Sequence, residues 1–190
     1  MLSKSEIRRK YFLIRKKNYF EVNKNFFRPL INILNKKFKN KKIKLSFYYP
    51  ANYEVNVLFL FNLINMKKNI ISLLPSISGK NNMNFNKWNI LDPLKVNKYG
   101  MLEPFTSYEN VVPSVILVPL LAFDKKNYRL GYGKGYYDKY LNKFLKINHN
   151  ILTVGVAFSF QKYNKLPTSN YDVKLDYILT EKGMCKLWTY

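Results

Sequence analysis

The stretch R-L-G-Y-G-K-G-Y-Y-D, residues 129–138, places glycine at every second position, as Gly131, Gly133 and Gly135. Glycine lets the backbone take positive φ and lets a ligand come to contact distance. Successive amides in such a turn form a nest for an anion. Arg129 offers a planar fork to phosphate oxygens and Lys134 a point charge. A helix beginning near Lys134 adds its positive end. Asp138 is a carboxylate of the kind that holds Mg²⁺ together with phosphate oxygens. Together these residues describe a nucleoside-triphosphate site. The spacing is neither the dinucleotide pattern G-x-G-x-x-G nor the P-loop pattern G-x-x-x-x-G-K-[ST]. By spacing alone a tight turn is the commoner reading, and the neighbouring cations and carboxylate tilt it toward phosphate.

Such a loop needs a frame. Residues 113–124, P-S-V-I-L-V-P-L-L-A-F-D, form an apolar run of strand length ending at Pro119, as suits a central strand covered on both faces. After the glycines, a predicted helix puts Tyr137, Tyr140, Leu141 and Phe144 on one face. Residues 151–160 read as a second buried strand, and 177–179 as a short closing one. Upstream, residues 3–39 carry two helices by periodicity, with Pro29 near the start of the second. Residues 43–49 alternate like a strand ended by Pro50, 54–67 read as a helix, and 69–74 as a strand closed by Pro75. Met83 to Ile90 alternate like a half-exposed edge strand from a hairpin. Alternating strands and helices predict an α/β fold: three α/β/α layers around a mostly parallel, Rossmann-like open sheet, in one domain over 1–190. Ligands bind such sheets beyond the carboxyl ends of the strands, where the glycine stretch falls.

The chain has 190 residues, 33 of them basic and 11 acidic, for a net charge of +22. That sign attracts polyanions. Lys and Asn are abundant even in unpatterned loops, so compositional bias is the commoner reading of the charge, with capture of anionic ligands the other. One cysteine, Cys185, leaves no intramolecular disulfide framework and reads as an inert packed or surface thiol. The lone histidine, His149, falls in a predicted surface turn with no catalytic role. The longest apolar run is too short and too rich in proline to cross a bilayer, and the N-terminus lacks a secretory pattern. A soluble cytoplasmic protein is expected. The chief alternative from the residues alone is a nucleic-acid-binding module of Lys-rich helices and stacking tyrosines. An ATP-dependent ligase acting on another amide or carboxylate is a second.

V-P-L-L-A-F-D-K-K-N-Y-R-L-G-Y-G-K-G-Y-Y-D closely resembles the signature of the 5-formyltetrahydrofolate cyclo-ligases, the methenyltetrahydrofolate synthetases. S-K-S-E-I-R, Y-Y-P-A-N-Y-E-V-N-V, Y-G-M-L-E-P and Y-D-V-K-L-D-Y-I-L-T-E resemble further family segments in the same order, from Lys4 to Glu181. Ser114, Leu120 and Tyr171 depart from the usual pattern. The resemblance implies an enzyme using ATP and Mg²⁺ on a small folate, probing no nucleic acid or membrane, as a monomer. It implies Lys4 and Arg8, one helical turn apart, on the ATP phosphates. Arg129, Gly131, Tyr132, Gly133, Lys134, Gly135, Tyr136 and Tyr137 complete the phosphate loop, with Lys134, Arg129 and Tyr136 catalytic. Tyr132, Gly133, Lys134, Gly135 and Tyr136 also touch the folate. Asp138 and Asp172 are implied for the metal. Glu54 is implied for the pterin, whose aminopyrimidine edge a carboxylate can match, and Tyr49 for the same pocket. Met83, Phe85 and Trp88 are expected either on the folate or in ordinary strand burial.

Overall fold

The computed structural model describes residues 2–39, 41–64, 69–78, 82–105, 110–147 and 150–186. Ser3 starts the first helix, α1 (Lys4–Asn18), with a capping box: its side chain accepts from the Glu6 amide while the Glu6 carboxylate accepts from the Ser3 amide. A 3₁₀ turn over Lys24–Phe27 leads into α2 (Arg28–Phe38), which has its proline in the first turn. There follow β1 (Ile43–Ser46), α3 (Leu58–Ile64), β2 (Ile70–Ser78) and β3 (Asn82–Lys87). A small hairpin, β4 (Leu94–Val96) and β5 (Leu102–Pro104), precedes β6 (Val115–Pro119). Next come the short pair β7 (Ala122–Phe123) and β8 (Arg129–Leu130), then α4 (Tyr136–Ile147) and β9 (Leu152–Val156). The chain closes on β10 (Tyr177–Thr180) and β11 (Gly183–Lys186).

The main sheet has seven strands in the order β11-β10-β9-β6-β1-β2-β3. Its five inner strands run parallel, and β3 and β11 are antiparallel edges. Side chains of β6 show why helices cover both faces. Val115 and Leu117 point into one apolar cluster with residues of α2 and α3, whereas Ile116 and Val118 point into another with Tyr140 and Leu141 of α4. The α/β class and the mostly parallel sheet expected from the sequence are therefore present.

Several boundaries move. The strand expected to stop at Pro75 runs on to Ser78. The Trp88 amide bonds Ser72 O, so even-numbered residues of β2 pair with β3, and the missing N–H of Pro75 faces the side where β1 has already ended. The helix expected from residue 54 begins at Leu58, after Asn56 has captured the Leu58 amide with its side chain (3.1 Å). The strand expected over 43–49 pairs only to Ser46, after which β1 and β6 part. Phe85 lies against Tyr140 and Trp88 against Phe61, so their alternation reflects burial in the two cores. No described helix is long and apolar enough to cross a membrane.

Gly155, in the middle of β9, lies under the turn that leaves β6. A Cβ there would sit 2.6–2.8 Å from Ile178, Leu120 and Leu175. Gly155→Ala is expected to cost about 1–3 kcal/mol through overpacking, read as a lower denaturation midpoint at an unchanged slope.

Candidate active site

The chain leaves β1 toward β2 and β3 on one side, and returns to β6, β9 and β10 on the other. The crevice beyond the carboxyl ends of β1 and β6 is thus the switch point of the sheet. The turn after β1 carries Glu54 into it, and the segment after β6 carries the glycine loop.

The loop is built from below. Asp124 closes the turn between β7 and β8, accepting from the amides of Lys126 and Tyr128 through Oδ1 and of Leu166 through Oδ2. Arg129 is buried, and its fork is engaged: Nη1 donates to Val173 O (3.1 Å) and Nη2 to Asp138 Oδ1 (2.8 Å). Gly133 and Gly135 take φ of 99° and 70°, a region that a side chain would strain. Arg8 Nε donates to Gly131 O (2.9 Å), and a Cβ on Gly133 would lie 3.2 Å from the Arg8 guanidinium carbon. Added Cβ atoms at Gly131 and Gly135 would meet nothing within 4 Å, so this side of the loop is open. Lys134 is exposed, with Nζ 5.2 Å from the ring centre of Tyr99 on the β4–β5 hairpin. Tyr99 and Tyr136 share a hydrogen bond (2.7 Å), which draws the Tyr99 pKa down and sends that of Tyr136 up to about 12. Lys4 pairs with Asp172 (2.6 Å). Helix α1 therefore brings Arg8 to the loop and Lys4 to Asp172.

On the other wall, Glu54 is 7% exposed. Oε1 accepts from the Tyr132 hydroxyl (2.7 Å) and Oε2 from the Ala51 amide (2.9 Å). Burial raises its pKa, against the pull of Tyr132, the Ala51 amide and Arg15. Burial and nearby Glu54 push the Tyr137 pKa up, and its hydroxyl has no partner among the described residues. Tyr49 is half-buried against the core shared with α2 and α3, while Tyr48 next to it donates to Val55 O (2.9 Å) and feels the Glu54 charge.

The donor set for a metal can be tested on its oxygens. Asp138 uses Oδ1 for Arg129 and the Val173 amide; Asp172 uses Oδ2 for Lys4 and Ser169. Each keeps its other oxygen without a hydrogen bond to a described residue. Among the described residues no group of three or more His, Cys, Asp and Glu is assembled. The residues thus fit a Mg²⁺ held chiefly by phosphate oxygens, not a cage made wholly of protein.

Arg15, Tyr99 and Asp124 were not singled out from sequence. Arg15 looks like one cation among many, yet it continues the buried stripe of Ile7 and Tyr11 at steps of four, a legible signal. Of the departures, Ser114 bridges β6 to β1 by accepting from the Lys44 amide (2.8 Å) and donating to Lys44 O (3.3 Å). Leu120 is buried with its carbonyl accepting from Gln161, and Tyr171 is 80% exposed. Cys185 is an exposed thiol, and His149 lies outside the described residues.

A model of the 5-formyltetrahydrofolate cyclo-ligase family matches residues 3–181. The chain belongs to that family. A 5-formyltetrahydrofolate cyclo-ligase of Mycoplasma genitalium is 34% identical over 139 residues, covering 71% of this chain and 70% of that protein. One from Haemophilus influenzae is 41% identical over 91 residues, covering 46% of this chain and 48% of the relative. This chain thus spans about half the length of that curated relative. Among solved structures, the NMR structure of Aquifex aeolicus 5,10-methenyltetrahydrofolate synthetase superposes with a TM-score of 0.73 at 33% identity, covering 100% of this chain and 95% of that one. That structure shares the fold over nearly its whole length.

Because the folded-state pKa of Glu54 is raised, its ionisation opposes folding: the proton favours the folded state below the unfolded pKa, and that benefit is lost as pH climbs through the folded pKa. Relative to Glu54→Gln, the parent should therefore lose stability as pH rises from the ordinary glutamate range to neutrality. Urea denaturation of both proteins at the two ends of that range checks the sign.

Proposed function

We propose that the protein closes 5-formyltetrahydrofolate to 5,10-methenyltetrahydrofolate at the expense of ATP, releasing ADP and phosphate. The observation that carries this reading is the Tyr132–Glu54 hydrogen bond, which joins a bare cationic loop to a buried carboxylate across the switch crevice. A triphosphate on the loop and an aminopyrimidine on Glu54 would then be neighbours.

The chemical obstacle is an amide. The N5-formyl oxygen is a poor leaving group, and resonance quiets the carbonyl. That oxygen attacks the γ-phosphorus, the bond to the bridging oxygen breaks, and ADP leaves. N10 then attacks the formyl carbon, loses its proton, and the C–O bond breaks to release phosphate. Phosphoryl transfer of this kind asks the protein for position and charge, with no protein nucleophile.

In this reading the amides of Gly131, Gly133 and Gly135 and the side chains of Lys4, Arg8 and Lys134 receive the phosphates. Lys134 gathers charge at the transferring group. Arg129 adds its field while holding Asp138 in place, and Tyr136 and Tyr137 line the start of α4. Asp138 and Asp172 would hold Mg²⁺ together with phosphate oxygens, and the ion would neutralise phosphate charge there. Glu54 takes the pterin edge, with Tyr132 and Tyr49 beside it. Lys4 exchanges Asp172 for phosphate when nucleotide arrives. The net charge of +22 speeds capture of ATP and a glutamate-tailed folate, an effect that salt screens. We place this activity in a cytoplasmic monomer of one domain.

Purified protein mixed with 5-formyltetrahydrofolate and MgATP should raise the near-ultraviolet absorbance of the methenyl product. Lys134→Ala and Asp138→Asn should each slow it by about 10²–10³-fold. A silent parent, or full activity in both variants, would overturn the assignment.

A further inference from the structure

Arg15 is a buried cation for which the phosphate chemistry has no use. It lies in the last turn of α1, 1% exposed, and faces away from solvent toward the switch crevice. Its Nη1 donates to Leu120 O (3.1 Å), just after β6. Its Nη2 donates to Asn52 O (2.7 Å), just after β1, and to the Tyr132 hydroxyl of the glycine loop. One guanidinium therefore ties together the three segments that frame the crevice.

We propose that Arg15 is a positioning residue of the pterin pocket, fixing both the direction of the Tyr132 hydroxyl proton and the aim of Glu54. The proposal rests on the reading of Glu54 as the pterin carboxylate. A guanidinium has five donors and no acceptor. Toward Arg15, Tyr132 can only accept, so its one proton is directed to Glu54 Oε1 at 2.7 Å. The second effect is on the backbone. Asn52 and Tyr53 have φ of 49° and 63°, consecutive left-handed residues without a glycine between them. A bulky residue seldom adopts that region. Arg15 holds the Asn52 carbonyl in that turn, and Glu54 emerges from it.

The groups that face Glu54 are Arg15 from α1, Tyr132 from the glycine loop, Tyr48 from the end of β1 and Tyr137 from α4. Tyr132 and Arg15 are the two side chains that favour its ionised form, beside the Ala51 amide. Removing either lets burial push the carboxyl to titrate at higher pH.

The test uses the full chain labelled with ¹³C-glutamate, the Glu54 signal being assigned with Glu54→Gln. In the unliganded protein, Arg15→Met should move the Glu54 titration midpoint upward, as should Tyr132→Phe. Arg15→Met should also raise KM for 5-formyltetrahydrofolate by about 10–100-fold, with KM for MgATP within about twofold. Adding Asn52→Gly should restore part of the folate KM, because glycine holds the left-handed turn unaided, while leaving the midpoint displaced. An unmoved midpoint, or folate and nucleotide KM rising together, would overturn the proposal. If Arg15→Met does not fold, the midpoint in Tyr132→Phe decides by the same rule. A parent that cyclises no folate would sink the substrate assignment, and the midpoint would still decide the role of Arg15.

Discussion

The hydrogen bond from Tyr132 to Glu54 crosses the line on which the sheet reverses its order. Everything else in the site depends on that span. Glu54 is held in the crevice by a turn with two left-handed residues, and Tyr132 by a loop whose neighbouring glycines alone permit its path. Each wall would be unremarkable without the other: a buried glutamate on one side, a tight turn on the other. Joined, they set a buried carboxylate beside a glycine-rich, cation-bearing loop at the switch point of the sheet.

Charge pairing within the site has a consequence for how it receives ligands. Asp138 is engaged by Arg129, and Asp172 by Lys4. These ion pairs let four charges converge without their full mutual repulsion or desolvation. Burial alone lowers the pKa of Arg129, and Asp138 opposes that shift. Lys4, in contrast, is on a partly open surface and can swap a carboxylate for a phosphate at small cost. Arg129 thus reads as a fixed strut and Lys4 as an exchangeable contact, although in the sequence both are simply cations, with Lys4 168 residues from its partner.

Much of the frame is legible from residue order because its signals are local. The apolar run at 115–119 is a central strand since both its faces meet helices, and Tyr140 and Leu141 mark the buried side of α4. What escapes are features decided by partners far along the chain. Pro75 does not end β2, because β1 stops first and the missing donor points away from the β3 ladder. Residues 54–57 do not begin α3, because Arg15, thirty-seven residues from Asn52, helps hold the turn before them. The glycine loop was readable from its composition, whereas the contact of Arg8 with Gly131 joins residues 123 apart and leaves no local signal beyond a basic helix face. The site duty of Arg15 was hidden among surface-type lysines and arginines, although the spacing of Ile7 and Tyr11 pointed inward at it.

The central claim is that the glycine cup receives MgATP and the Glu54 wall receives the folate, side by side. An amide-resolved titration of the protein with Mg²⁺ and a non-hydrolysable ATP analogue, followed by 5-formyltetrahydrofolate, tests it most directly. Nucleotide should shift the amides of Gly131, Gly133 and Gly135, and folate should then shift the turn from Ala51 to Glu54 and tighten the nucleotide. Nucleotide shifts confined to the lysines of α2, with the loop amides unmoved, would contradict it.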